Sequence, residues 1–339
     1  MAIILFTDRP EQPFMSASWK LLCPPQIDAA GPESVSDFAT STGIDAYDST
    51  AEAVADIDRY DAVIVRATEL DREIIERAEN LKVIAKHGSG LDNIDVKAAS
   101  EHGIVVCNTP GVNARSVAEH TVALLFGVRR NLAAADRHVR AGGWDRASYT
   151  GVELQGTTLG LMGFGSIGRE TAAIARGIGL DLLVYDPHSA GASLPNGVER
   201  VDELGGLFAG ADAVSLHVPL VEETRQAVST DELAALGEEG VLINTSRGGI
   251  VDEDALVEAL ASGTIGGAGL DNFRQEPPGP DHPFYEFDEV LLTPHLGGLT
   301  HSALERMSRQ AAANVRTVYE GELPDSTVNP EAVGREARQ

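Results

Sequence analysis

The segment Thr158-Leu-Gly-Leu-Met-Gly163-Phe-Gly165-Ser-Ile-Gly168 constrains this chain more than any other. A short apolar run leads into glycines spaced G-x-G-x-x-G, and a helical pattern over Ile167–Gly177 follows. In such a turn the first glycine permits the tight bend, the second lets a bulky anion approach the backbone, and the third lets helix and strand pack closely. The amides of Ser166 and Ile167 then face that anion at a helix N-terminus. With 35 glycines in the chain, the spacing alone is weak, so its context decides. Asp186 closes the next apolar run, Asp181–Tyr185, 18 residues after Gly168. A carboxylate there accepts from both ribose hydroxyls and repels a 2′-phosphate. The segment therefore predicts a dinucleotide-binding strand–turn–helix that takes NAD in preference to NADP. A methyltransferase turn, the alternative, rarely keeps all three glycines.

Around this segment β-branched runs alternate with helical patterns, the mark of parallel α/β units. Strands are expected at Thr158–Met162, Asp181–Tyr185, Ala213–His217, Val241–Asn244, Gly267–Asp271 and Val290–Thr293, with helices at Ile167–Gly177, Thr230–Leu236 and Glu253–Ser262. Six strands fit one complete doubly wound nucleotide domain. Ahead of it, Ile3–Thr7, Ala62–Arg66, Lys82–Ala85 and Val105–Asn108 read as strands, and Asp71–Glu79 and Asn93–His102 as helices, with Gly103 at a C′ position. Ser116 and Glu119 suggest a capping box opening one long helix, Ser116–Arg140, that Gly142–Gly143 stop. Such a helix suits a bridge between domains or a subunit interface. A length of 339 residues predicts two domains. The expected fold class is α/β with two doubly wound lobes: a Rossmann NAD-binding domain over 109–296, inserted into a flavodoxin-like substrate domain made of 1–108 and 297–339, with a cleft between them.

The charge balance excludes several functions. Fifty-two acids against 26 bases leave −26, spread along the chain, with no basic stripe of the kind that neutralises phosphates. Nucleic acid is not an expected partner, and neither is an anionic membrane surface. Only Lys20, Lys82, Lys86 and Lys97 are lysines. Scarce lysine and dispersed acid suit a surface adapted to concentrated salt, where self-repulsion is screened. No apolar run reaches the roughly 18 residues of a membrane span. Met1–Pro10 lacks a basic segment and carries Asp8, unlike a secretory signal. Cys23 and Cys107 have no metal or redox spacing, so a reducing cytoplasm and no metal site are expected.

Three residues stand just beyond expected parallel strands, the edge where open α/β sheets place ligands. Arg247 follows Val241–Ser246, Glu276 lies five residues beyond Asp271, and His295 follows Val290–Pro294. Their chemistry is complementary: a cation for a carboxylate, an imidazole for proton transfer, and a carboxylate to orient it. Position alone equally allows a surface ion pair, a loop residue and a capping residue.

From Asp61 to Asn329 the chain resembles the D-2-hydroxyacid dehydrogenase family, and within it the D-3-phosphoglycerate dehydrogenases most. The resemblance is carried by Gly88-Ser-Gly90-Leu-Asp92-Asn93-Ile-Asp95, Ser116-Val-Ala-Glu-His120-Thr, Trp144-Asp-Arg146, Asn244-Thr-Ser246-Arg247-Gly248, Gln275-Glu276-Pro277 and Thr293-Pro294-His295-Leu-Gly297-Gly298. It implies NAD-dependent hydride transfer between the nicotinamide and a small anionic D-2-hydroxy or 2-keto acid, of the 3-phosphoglycerate, hydroxypyruvate or glyoxylate type, in a cytoplasmic homodimer. Arg247 is then expected to hold the substrate carboxylate, His295 to exchange a proton with the substrate oxygen, and Glu276 to fix the imidazole. Ser89 and Gly90 are expected to offer amides to the substrate, with Lys86 adding positive charge beside His87. The cofactor cleft is expected to include Gly163, Gly165, Ser166, Ile167, Gly168, Asp186, Val218, Pro219 and Thr245, with Asp271 near the nicotinamide amide. His188 is placed near the adenosine ribose, His120 reads as a packing or interface residue, and His217 as structural.

The opening 60 residues depart from the family pattern, which leaves the lobe around the substrate's far end undefined. The chain has no room for a C-terminal regulatory domain, so serine control through one is not expected. The alternative function is an NAD-sensing corepressor of the same fold. A formate dehydrogenase relative is disfavoured, because that branch carries glutamine where Glu276 stands.

Overall fold

The computed structural model describes residues 18–23, 27–43, 46–47, 49–189 and 193–333. The chain divides into two compact units, one of Met1–Pro110 with Glu305–Gln339 and the other of Gly111–Leu304. The second is thus inserted into the first.

The first unit is built on a parallel five-stranded sheet of β1 (Trp19–Cys23), β2 (Ala39–Gly43), β3 (Ala62–Val65), β4 (Val83–Lys86) and β5 (Val105–Cys107), in the order β2-β1-β3-β4-β5. This is the flavodoxin-like order. Alternate side chains leave opposite faces. Leu22, Val63, Val65, Ile84 and Val106 pack with Ile75 and Ala98 on one face. Leu21, Ile64, Val83 and Cys107 pack with Ala311, Ala312 and Val315 on the other. The helices Arg72–Arg77 and Val96–Glu101 start on Asp71 and Asp95, whose carboxylates accept from the amides of Ile74 (2.9 Å) and Ala98 (2.8 Å). Gly103 takes the left-handed conformation (φ 69°) that ends the second. The strand expected at Ile3–Thr7 lies outside the described residues. β1 and β2 are not among the strands expected from the sequence.

The second unit carries seven parallel strands: β6 (Thr158–Met162), β7 (Asp181–Tyr185), β8 (Val198–Arg200), β9 (Ala213–Leu216), β10 (Val241–Asn244), β11 (Gly267–Leu270) and β12 (Val290–Leu292). Their order is β12-β11-β10-β9-β6-β7-β8. Reversed, this is the doubly wound 3-2-1-4-5-6 arrangement with one further strand, and the order turns back between β6 and β9. Strands β9, β10 and β11 are buried throughout, as expected where helices cover both faces. β8 is not among the expected strands; it is three residues long, with Glu199 exposed and its neighbours only partly buried.

The single helix expected over Ser116–Arg140 is two helices, Ala114–Arg129 and Leu132–Arg140. Asn131 breaks them apart with φ 53°. Asparagine is among the few residues with a Cβ that enter the left-handed region readily. The capping box is also corrected. The helix starts two residues before Ser116, so Ser116 sits inside the first turn, where its hydroxyl pairs with that of Thr300 (2.8 Å). Glu119 accepts from Arg115 instead (2.7 Å). A capping box does form at Ser229 and Glu232. Leu124, Leu125 and Val128 of the first helix pack with Leu159, Leu161 and Ile243, fixing it to the sheet.

Candidate active site

All seven strands of the second unit run parallel, so the loops leaving their carboxyl ends share one edge. The glycine turn leaves β6 there. Gly163 has φ 96°, and a Cβ on it would lie 2.6 Å from the His217 carbonyl oxygen. On Gly168 a Cβ would lie 2.4 Å from the Gly163 oxygen, so the third glycine lets the helix meet the turn. Gly165 differs: a Cβ there would meet nothing within 4 Å. That open space lies at the start of helix Ser166–Gly177, whose first amides have no partner within the helix. The cradle fits a pyrophosphate.

Asp186 ends the adjacent strand. Its carboxylate accepts from the amides of Phe164 (2.9 Å) and His188 (3.0 Å), and Arg200 donates to its carbonyl (3.2 Å). The fit to a dinucleotide thus extends from the phosphate turn to a carboxylate at the ribose position. Val218 and Pro219 follow β9, and a Cβ on Gly163 would also reach Val218 (2.8 Å). His217 pairs with Ser215 (3.0 Å), and burial pushes its imidazole down to about 3, so it stays neutral.

β10, β11 and β12 are neighbours, and their following loops carry Arg247, Glu276 and His295. The Arg247 loop is braced from below. Ser246 donates its hydroxyl to the Leu216 carbonyl (2.6 Å), and the Asn244 side chain accepts from the Ser246 amide (3.0 Å) and donates to the Arg247 carbonyl (2.9 Å). A Cβ on Gly248 would fall 2.0 Å from the Phe273 carbonyl carbon, so the Arg247 loop lies directly on the loop leading to Glu276. Thr245 is buried, and its hydroxyl pairs with that of Thr121 (2.8 Å).

His295 Nδ1 and Glu276 Oε2 are 2.7 Å apart. The other Glu276 oxygen accepts from the Phe273 amide (3.1 Å). Partial burial works to raise the Glu276 carboxyl, but His295 and these donors outweigh it and hold the group below the usual carboxylate range. A charged Glu276 accepts the Nδ1 proton, which leaves Nε2 to meet a reactant. With half of its side-chain surface exposed, His295 can do so. The pair opens onto a pocket of about 410 Å³ whose wall includes Phe273, Pro277, Tyr285 and Pro294.

Other anticipated residues have different surroundings. Lys86 is buried within the first unit and donates to the Arg66 carbonyl (2.6 Å) and to Asn93. Ser89 is exposed, and its carbonyl accepts from Asn108 (2.9 Å). His120, read as a packing residue, pairs through Nε2 with Thr293 (2.9 Å) beside the buried carboxylate of Asp271. Among the described residues, no group of three or more His, Cys, Asp or Glu could hold a metal ion. No helix there is long and apolar enough to cross a membrane.

The family model for the NAD-binding domain of D-isomer specific 2-hydroxyacid dehydrogenases matches residues 122–297. A D-3-phosphoglycerate dehydrogenase of Methanocaldococcus jannaschii is 39% identical over 299 residues, covering 88% of this chain and 56% of the relative. The chain thus spans little more than half the length of such relatives. A hydroxypyruvate reductase of Thermotoga maritima is 44% identical over 254 residues, covering 74% of this chain and 82% of the relative. In three dimensions, a glyoxylate/hydroxypyruvate reductase of Sinorhizobium meliloti, described as NADPH-dependent, matches with a TM-score of 0.80 at 31% identity, covering 92% of this chain and 98% of its own. On the glycine turn, the three edge residues and this similarity, the chain belongs to the D-isomer specific 2-hydroxyacid dehydrogenase family.

Proposed function

We propose that the chain is an NAD-dependent D-2-hydroxyacid dehydrogenase that interconverts a small anionic D-2-hydroxy acid and its 2-keto acid. The observation that carries this reading is the 2.7 Å Glu276–His295 pair, one strand away from Arg247 on the edge where the glycine turn opens. Arg247 holds the substrate carboxylate, a planar anion its guanidinium can meet with two parallel hydrogen bonds. His295 gives its Nε2 proton to the carbonyl oxygen in reduction and takes it back in oxidation. Glu276 fixes the ring and favours the imidazolium that does the donating. Gly163, Gly165, Ser166, Ile167, Gly168 and Asp186 would hold the dinucleotide, with Val218, Pro219, Thr245 and Asp271 along its cleft. When bound, the nicotinamide supplies or accepts the hydride.

We assign Ser89 and Gly90 to the substrate as well. Because Lys86 is already engaged by Arg66 and Asn93, it is a poor candidate for a phosphate. That favours hydroxypyruvate or glyoxylate over the keto partner of 3-phosphoglycerate. We place the chain in a reducing cytoplasm, where the buried thiols of Cys23 and Cys107 would stay free.

Preference for NAD rests on Asp186, whose carboxylate would stand beside a 2′-phosphate. The test is kcat/KM for NADH and NADPH in the wild type and in Asp186→Ala. We expect NADH to be favoured at first and the preference to narrow in the variant, where Arg200 remains to attract the phosphate. Equal use of both cofactors by the wild type would refute the assignment.

A further inference from the structure

We infer that Asp271, acting with Thr293 and His120, is the positioning group that holds His295 where its proton transfer needs it. This rests on the acid–base role proposed for His295 and goes beyond the place beside the nicotinamide assigned to Asp271.

Asp271 follows β11 directly and is buried. One carboxylate oxygen accepts from the Thr293 hydroxyl (2.6 Å) and the Leu296 amide (2.9 Å), and the other accepts from the Gly297 amide (2.8 Å). Its carbonyl accepts from the amide of His295 itself (2.9 Å). Every residue from Thr293 to Gly297 is therefore tied to Asp271, apart from Pro294, which has no amide hydrogen to give. Burial works to raise the Asp271 carboxyl, but the donors around it outweigh that and keep it charged.

This clamp coincides with backbone strain. His295 has φ 51°, in the left-handed region that non-glycine residues seldom adopt. Such a conformation persists where its surroundings over-determine it. Space around the clamp is equally constrained. A Cβ on Gly297 would lie 3.0 Å from the Asp271 oxygen and 3.3 Å from the His120 ring. The tautomer of His120 follows from the same bonds. Thr293 spends its one hydroxyl proton on Asp271, so the 2.9 Å contact to His120 requires the imidazole Nε2 to donate. His120 thereby holds the threonine hydroxyl in line with the carboxylate.

Two carboxylates of the loop after β11 thus act on one residue of the loop after β12. Glu276 reaches it from the loop after β11 and sets the ring; Asp271 fixes the backbone that presents it. Loss of the clamp should weaken the Glu276 contact without removing either partner, and misplacement by about 1 Å at a reacting group can cost about 10²-fold.

The test compares Thr293→Val, Thr293→Ser and His295→Asn in the full chain, with glyoxylate and hydroxypyruvate as substrates. The readouts are kcat, the pH profile of kcat, and the dissociation constant for NADH measured by fluorescence. Thr293→Val should lower kcat by about 10- to 10²-fold and move the reduction's pH limb to lower pH, with NADH binding within about twofold of wild type. Thr293→Ser, which restores the hydroxyl, should recover kcat to within about threefold. An unchanged kcat and pH limb in Thr293→Val, equal losses in both threonine variants, or a loss confined to NADH binding would each overturn the inference. If Thr293→Val does not fold, Thr293→Ala, which also removes the hydroxyl, is judged by the same kcat, pH-limb and NADH-binding outcomes. Wild-type turnover by His295→Asn would overturn the acid–base reading and the inference with it. Normal turnover by Thr293→Val beside an inactive His295→Asn would overturn the inference alone.

Discussion

His295 and Glu276 act as one unit, and their coupling has a sign. The Glu276 carboxyl lies lower in the fold than in a free chain, so the pairing contributes above the ordinary carboxylate range and is lost as pH falls through the depressed value. The same attraction favours the imidazolium needed for reduction. Glu276→Gln keeps an acceptor but removes the charge, so the reduction's pH limb should move to lower pH. An unmoved kcat/KM profile would count against the pairing. His295→Ala should lose about 10²–10⁴-fold in kcat with NADH affinity nearly unchanged. A third change reaches the site through backbone packing. Gly248→Ala would press a methyl group into the Phe273 backbone, 2.0 Å away, and spread the loops carrying Arg247 and Glu276. We expect a loss of about 10²-fold in kcat/KM, read by steady-state kinetics. Arg247, Glu276 and His295 stand out in the sequence because each lies beyond an apolar run that reads as a strand, but their roles are implied only by the resemblance that Asn244–Gly248, Gln275–Pro277 and Thr293–Gly298 carry. His120 does not stand out: it lies in an apolar helical pattern, and its partner Thr293 is 173 residues away.

At the scale of elements, the inner strands were readable because burial on both faces leaves unbroken apolar runs. β6 and β10, almost wholly buried, have the expected bounds Thr158–Met162 and Val241–Asn244. β2, Ala-Thr-Ser-Thr-Gly, has no such run, and its pairing with β1 is what makes it a strand. The break between Ala114–Arg129 and Leu132–Arg140 did leave a local signal, an asparagine at a C′ position, but the helical pattern continues past it on both sides. That break leaves Leu132, Val139 and Trp144 on the surface, with Trp144 80% exposed. Exposed apolar side chains so grouped in sequence suit a subunit contact, and a two-fold contact needs only one such surface. Light scattering should therefore find a species of twice 35.8 kDa, and Val139→Glu with Trp144→Glu should halve it. A wild type that stays at 35.8 kDa would contradict the dimer.

For the molecule as a whole, a net charge of −26 opposes compaction most when its field is least screened. The Debye length falls from about 10 Å at 0.1 M salt to about 3 Å at 1 M. The melting temperature should therefore rise by at least about 3 °C between those concentrations of potassium chloride, equivalent to about 2 kcal/mol of stability at this size. A flat or falling curve would remove the salt-adapted reading and leave the chemistry untouched. The chemistry has its own decisive measurement. The purified chain, in about 0.1 M and about 1 M potassium chloride, is given NADH with glyoxylate, hydroxypyruvate or 3-phosphohydroxypyruvate, and loss of NADH absorbance is followed alongside the chirality of the product. The account predicts NADH-dependent formation of a D-2-hydroxy acid from at least one of these substrates, slowed by at least about 10²-fold in His295→Ala. NADH binding without turnover of any of the three at either salt concentration would contradict it.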